Sequence, residues 1–289
     1  MRKDMKKSNL ILLFYLFMPI CTCGGEDESD DGQDESQDWS VWEDSCNEPL
    51  VGKLDTGTTW QWQLTETIDT AIDVEMYDVD LFNTTADTIA ALKSKGRTVI
   101  CYFSAGTWEE WRPDADQFDE EAIGQTMEEW DDEKWLDVGH QSTRDRVEAR
   151  LDIAVSKGCN GVEPDNMDGY VNSTGFTLTG IDQLNFNKFV AVAAHTRGLS
   201  VGLKNDVDQL EALEGCYDWA LNEECFAYEE CDKYAPFVKG GKAVFHVEYV
   251  DDQEDGQDMA DKVCGDETIE GFSTLVKDWD LTSWYVSCP

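Results

Sequence analysis

Three stretches of the chain carry the same punctuation: a threonine and an acid, an amphipathic run, a glycine, then a short segment rich in β-branched or aromatic residues. In TTADTIAALKSKGRTVICYF, Thr84 and Asp87 form a capping-box start, Ile89 and Leu92 mark a helical face, Gly96 stops it and VICYF follows as a strand. In STRDRVEARLDIAVSKGCNGVEPDN the face is Val147, Leu151, Ala154 and Val155, the stop is Gly158 and the strand is GVEPDN. The third unit opens at Thr179 and Asp182, closes at Gly198 and leads into SVGLKND. Helices alternating with strands across tight junctions point to a parallel sheet.

Eight candidate strands can be counted: 59–64, 74–80, 98–104, 161–165, 200–205, 218–223, 243–249 and 273–279. Eight strands interleaved with helices over this length are what a closed (β/α)8 TIM barrel requires. The competing open doubly wound sheet lacks its usual mark, since no glycine-rich phosphate loop follows the first strand. The predicted fold class is therefore α/β, a (β/α)8 barrel.

Each strand starts apolar and ends polar. Asp78 and Asp80 share one face of the second strand, and the third offers Tyr102 and Ser104. The fourth ends on Glu163 and Asp165, the fifth on Lys204, Asn205 and Asp206, and the sixth on Asn222 and Glu223; the seventh carries His246 and Glu248. In a barrel these ends converge on one rim, where barrel enzymes hold their sites. Glu163 and Asp165 flank Pro164, which lacks an N–H and is tolerated where the ladder ends. Burying either charge unpaired costs several kcal/mol. Lys204 and the amides of Asn166 and Asn205 are the expected partners that keep these acids ionised.

Carboxylates at a barrel mouth, abundant aromatics and no nucleophile motif point to glycoside hydrolysis, in which one carboxyl protonates the leaving oxygen and another acts across the ring. Trp60, Trp62, Trp108 and Trp111 are candidates to stack on sugars, Trp62 being better read as core. A serine hydrolase is disfavoured because no GxSxG occurs. His140, His195 and His246 are too dispersed for a metal, no CxxC-like pair is present, and residues 251–258 lack calcium-loop spacing. No metal and no cofactor are expected.

The net charge of −40 disfavours nucleic acid as a partner, since phosphate binding wants clustered Lys and Arg. It fits either a solvated acidic surface or attraction to a cationic partner. Residues 1–23, a charged start followed by LILLFYLFMPI and CTC, read as an export signal too short to span a bilayer as a mature helix. The leader fits either plain secretion or a bacterial lipoprotein anchored at Cys21 or Cys23, so membrane association is expected only through that lipid. Residues 24–45 are acidic and aliphatic-poor, a solvated tether ahead of one domain spanning 46–289. Eight cysteines follow the tether, an even number suited to disulfides in an exported protein, and Cys225 with Cys231 is the one local pairing expected.

The series WQWQL, YDVDLF, VICYFSAGTWEEWRPD, GVEPDNMDGY, GLKND, DWALNEECFAYEEC and KAVFHVEY resembles the endo-α-1,4-polygalactosaminidase family of glycoside hydrolases, from about Trp60 to Trp279. The resemblance implies a (β/α)8 barrel cleaving α-1,4-linked galactosamine polymers, with catalytic acids Asp165 and Glu223 at the ends of the fourth and sixth strands. By analogy with other α-glycosidase barrels, Asp165 is the nucleophile and Glu223 the proton donor of a retaining, endo-acting reaction. Trp60, Asp78, Asp80, Tyr102, Glu163, Asn166, Lys204, Asn205 and Glu248 are then expected to hold substrate, a polycation when deacetylated. A monomer is expected. Asn83 stands where such relatives often carry Asp, which touches no catalytic position. The alternative from another class is a catalytically idle carbohydrate-binding barrel, which could dispense with Asp165 or Glu223; both are present.

Overall fold

The structure is a computed structural model that describes Cys46 and residues 50–288 apart from Glu129. The expected leader, 1–23, and tether, 24–45, lie outside the described residues. The elements are strands β1 (Trp60–Gln63), β2 (Met76–Asp80), β3 (Thr98–Ser104), β4 (Thr107–Glu109), β5 (Ile123–Thr126), β6 (Glu133–Leu136), β7 (Gly161–Asp165), β8 (Ser200–Lys204), β9 (Trp219–Glu223), β10 (Val244–Val250), β11 (Ser273–Asp278) and β12 (Val286–Ser287). The helices are α1 (Ala86–Ser94), α2 (Gln141–Lys157), α3 (Gly180–Thr196), α4 (Leu210–Leu213), α5 (Ala235–Lys239) and α6 (Gly256–Val263).

Strands β1, β2, β3, β7, β8, β9, β10 and β11 pair in that order, every pair parallel, and they coincide with the eight strands expected from sequence. Across the seam the Trp60 indole donates to the Ser273 carbonyl at 2.9 Å, Lys277 Nζ donates to Gln61 Oε1 at 3.2 Å and Leu64 N donates to Leu281 O at 3.1 Å. This is the (β/α)8 fold with two departures. Among the described residues no helix joins β1 to β2, and β11 is followed by β12, which pairs with it antiparallel.

Local chemistry accounts for the helix boundaries. Thr179 and Asp182 form the expected reciprocal capping box on α3, and Gly158 ends α2 in the left-handed conformation at φ 84°. The start of α1 differs from expectation: its N-cap is Thr85, whose hydroxyl accepts from Thr88 N, while Thr84 is buried and its carbonyl accepts from Lys157 Nζ. On α2, Val147, Leu151 and Ala154 are buried as expected but Val155 is exposed, one step off the apolar stripe.

Both faces of the sheet are covered. Outside the barrel, Val79, Val99, Val162 and Val201 pack against Leu92, Leu151, Phe186 and Val190 of the helices. Inside, Trp60, Trp62, Trp219, Phe245, Leu221 and Leu275 fill the lower barrel. Burying each such side chain contributes about 1.5–3 kcal/mol. Gly202 makes room for this filling, because a Cβ there would lie 2.1 Å from the Trp219 ring.

An antiparallel sheet in the order β4–β6–β5 rises from the loop after β3. Beneath it Arg112 pairs with Asp80 at 2.7 Å and Glu109 at 2.6 Å, and Arg150 pairs with Asp114 at 2.9 Å, all buried. Among the described residues four disulfides join Cys46 to Cys216, Cys101 to Cys159, Cys225 to Cys231 and Cys264 to Cys288. The local Cys225–Cys231 bridge is the pairing expected from sequence. Among the described residues no helix is long and apolar enough to cross a membrane.

Candidate active site

Asp165 and Glu223 are the last residues of β7 and β9, the fourth and sixth strands around the barrel, so the parallel order brings both to one rim. Between them β8 ends on Lys204. Its ammonium lies 2.9 Å from Asp165 Oδ1 and 3.1 Å from Glu223 Oε2, which sets those two oxygens at most about 6 Å apart. Lys204 is buried, whereas the two carboxylates remain partly open to solvent.

Further donors complete the pair. Tyr102 donates its phenol to Asp165 Oδ2 at 2.9 Å, and the backbone N–H of Asn166 donates to Asp165 Oδ1 at 2.8 Å. Glu223 Oε1 accepts from Tyr249 Oη at 2.5 Å, and its Oε2 accepts from Asn205 Nδ2 at 3.2 Å. Burial raises both phenols well above their ordinary range, Asp165 adding for Tyr102 and Glu223 for Tyr249, so each keeps the proton it donates. Burial alone would lower Lys204, but Asp165, Glu223 and Glu163 raise it well above its usual value and hold it as a cation.

Below the rim, Glu163 Oε1 lies 3.1 Å from Lys204 Nζ, and the Trp62 ring centroid lies 4.8 Å from the same nitrogen. Asp78 faces Glu163 and lies against the Val79 backbone N–H, and Glu163 Oε2 meets no donor among the described residues. Burial pushes Glu163 up to about 7 and Asp78 well above the carboxylate range, Glu163 adding to the latter. Burial and mutual repulsion favour a protonated form of this pair over two adjacent carboxylates.

Two carboxylates side by side at a barrel mouth, held by a shared cation and by phenol donors, are equipped for glycosyl transfer to water. The sequence signature of glycoside-hydrolase family GH114 matches residues 37–289. The chain belongs to that family. It is therefore a glycoside hydrolase, in line with the resemblance read from its motifs. The solved structure of Aspergillus fumigatus Ega3 in complex with galactosamine is similar to it at 40% identity and a TM-score of 0.79, over 83% of this chain and 99% of that one. The glycoside hydrolase domain of PelA from Pseudomonas aeruginosa shares the fold, with 14% identity and a TM-score of 0.64, over 79% of this chain and 98% of that one. No curated protein sequence matches the chain at a significant level.

The GH114 barrel gathers most of the residues singled out by sequence, but not all. Asp165, Glu223, Glu163, Tyr102, Lys204 and Asn205 meet around one nitrogen and its neighbours, with Asp78 beneath. The Asn166 side chain turns away from them, donating to Ser104 Oγ at 2.9 Å and Thr107 Oγ1 at 3.2 Å, and so fastens the loop after β3 to the end of β7. Gly106 allows this approach, since a Cβ there would collide with the Asn166 carbonyl.

Three placements correct the expectation. Trp60 sits at the start of β1, hence at the closed end of the barrel, where it packs 4.7 Å from Phe245 in the core. Asp80 is taken by Arg112 and by the backbone N–H groups of Phe82 and Asn83. Glu248 lies on the outer face of β10, accepting from Phe226 N at 2.9 Å beside His246 Nε2, also at 2.9 Å.

The residue that sequence reasoning missed on β10 is Tyr249, the inward neighbour of Glu248. Two further acids of this GH114 site were also passed over. Burial holds Asp168 up at about 6, with Asp165 contributing, and Glu133 of β6 up at about 7. Asp168 stands in the same GVEPDNMDGY run as Asp165, which was the available signal; Glu133 lies in a sheet that no periodicity announced.

Proposed function

We propose that the protein is an exported hydrolase that cleaves α-1,4-linked galactosamine-containing polysaccharide within the chain, by a retaining double displacement acting as a monomer. Asp165 serves as the nucleophile and Glu223 as the acid/base. The observation that carries this reading is the single Lys204 nitrogen touching both carboxylates. It favours the short separation of retaining glycosidases, about 5–5.5 Å, over the 6.5–9.5 Å that leaves room for a water in inverting ones.

In the first step Glu223, protonated in the substrate complex, gives its proton to the glycosidic oxygen as the bond from that oxygen to the anomeric carbon breaks and Asp165 bonds to the carbon. In the second, Glu223 takes a proton from water, which displaces Asp165. Tyr102 and Lys204 aim the Asp165 carboxylate; Tyr249 and Asn205 aim Glu223. Asp78 and Glu163 are wholly buried beneath Lys204, so their part is to position that cation. The sugar identity is supported by the motif resemblance and by the likeness to Ega3, whose structure holds galactosamine. A deacetylated galactosamine polymer is a polycation, complementary to a chain of net charge −40. The N-terminal leader and the four disulfides support export, with lipidation at Cys21 or Cys23 as one form of it.

The deciding experiment is incubation with α-1,4-galactosamine polymer, with mass spectrometry of the fragments and NMR of the anomeric proton first formed. Internal fragments whose new ends are initially α support the reading. No cleavage refutes the substrate, and an initial β product refutes the retaining course.

A further inference from the structure

We propose that Trp111 and Tyr228 are stacking platforms at opposite sides of the mouth, forming distal subsites that bind hexosamine units several positions from the cleaved linkage. The proposal rests on the hydrolase reading above and adds the residues that make a long chain the preferred substrate.

Both residues lie on the catalytic rim by topology. Trp111 follows β4 in the excursion after the third barrel strand, and Tyr228 follows the sixth. Asp165 and Glu223 end the fourth and sixth, so a sugar chain crossing the pair runs from one aromatic side toward the other. Tyr228 is five residues beyond Glu223. Trp111 is four beyond Thr107, whose hydroxyl oxygen accepts from Asn166 next to Asp165. Chain reach therefore keeps the Tyr228 Cα within about 18 Å of the Glu223 Cα and the Trp111 Cα within about 14 Å of the Thr107 Cα, each ring lying a side chain's length beyond.

The rings are open to solvent, 53% for Trp111 and 68% for Tyr228, yet the backbone that presents them is fixed. Arg112, adjacent to Trp111, is locked by Asp80 and Glu109 in a buried double ion pair, and its guanidinium lies 6.0 Å from the Trp111 ring centroid. The loop carrying Tyr228 is closed by the Cys225–Cys231 disulfide. It is held further by Tyr228 N donating to Glu224 O at 2.9 Å, Glu230 N to Cys225 O at 2.9 Å and Phe226 N to Glu248 Oε1 at 2.9 Å. Single exposed aromatics are common and by themselves mean little. A large ring held out on an immobilised turn is different, because it offers a flat apolar face without losing freedom when a ligand settles on it. The C–H face of a pyranose matches that surface, and the ammonium of a deacetylated hexosamine adds attraction to the ring quadrupole. This also gives the buried Asp80–Arg112–Glu109 set and the Cys225–Cys231 bridge a function: they stiffen the two platforms.

The test compares wild type with Trp111→Ala, Tyr228→Ala and the double variant, and with Trp111→Phe and Tyr228→Phe as aromatic controls. Each is assayed on α-1,4-galactosamine polymer and on the shortest oligomer the enzyme cleaves. The alanine variants are expected to lose about tenfold more kcat/KM on the polymer than on the oligomer, the double variant more, and the phenylalanine variants to keep most of it. Equal losses on the two substrates, or none, would overturn the platforms. Gel electrophoresis through the same polymer separates this idea from the functional reading, since retardation needs no turnover. Retarded wild type and a freely running double variant support the platforms even if nothing is cleaved. Equal mobility of the two refutes the platforms even if cleavage proceeds.

Discussion

Tyr249 Oη lies 2.5 Å from Glu223 Oε1, a contact made across the β9–β10 pair by a phenol that burial keeps protonated. With Asn205 on the other oxygen, it fixes the plane of the carboxyl proposed to shuttle the proton. Tyr249→Phe is expected to lower kcat about 10- to 100-fold with little change in KM, the range that one hydrogen bond to a charged group supports. Steady-state kinetics on the polymer check this; an unchanged kcat would remove Tyr249 from the positioning set.

Among the described residues Lys204 is the single cation within hydrogen-bond range of Asp165, Glu223 and Glu163. Lys204→Met leaves three acids gathered with no counter-ion, which is expected to destabilise the fold by about 3–5 kcal/mol and to abolish measurable cleavage. Urea unfolding alongside the activity assay reads both. A variant as stable and active as wild type would show that the bridge is incidental.

Glu163 sets a direction for stability against pH. Burial raises its carboxyl from 4.5 to about 7, so between those values the folded protein holds a proton that the unfolded chain releases. The stabilising contribution is complete below about 4.5 and is lost as pH rises through about 7. Glu163→Gln removes this titration. The unfolding free energy of the variant relative to wild type should therefore climb over that interval, by on the order of 1–3 kcal/mol. Denaturation at several pH values measures it, and a flat or falling difference would contradict the assignment.

If charge draws a cationic polymer to the rim, kcat/KM on deacetylated galactosamine polymer should fall as salt rises from about 0.01 to 0.5 M, because the screening length shrinks several-fold. A fully acetylated polymer should show little dependence. Equal responses from the two would remove the steering role.

The strands and the paired rim acids were legible because parallel barrel strands start in apolar filling and finish at an open rim, so Asp165 and Glu223 stand out where VEPD and LNE change character. What periodicity could not decide was facing where both faces are buried. In β10, Phe245, Val247 and Tyr249 point inward while His246 and Glu248 point outward, all buried, so alternation offers no polar side to choose. The polar pair attracted the expectation, and Tyr249 was passed over. Trp60 misled in another way. An aromatic near a strand looks like a platform until the chain direction puts its end of β1 at the closed side of the barrel. The short sheet β4–β6–β5 was illegible because its strands are three or four residues long, too short for a periodic pattern, and the partners of Glu109 on β4, Arg112 and Arg150, come from outside the sheet.

The most direct test of the account is the activity of Asp165→Asn and Glu223→Gln on α-1,4-galactosamine polymer, each confirmed as folded by its thermal transition. Both should lose at least about 1,000-fold in kcat while unfolding within a few degrees of wild type. Wild-type turnover in either folded variant would contradict it.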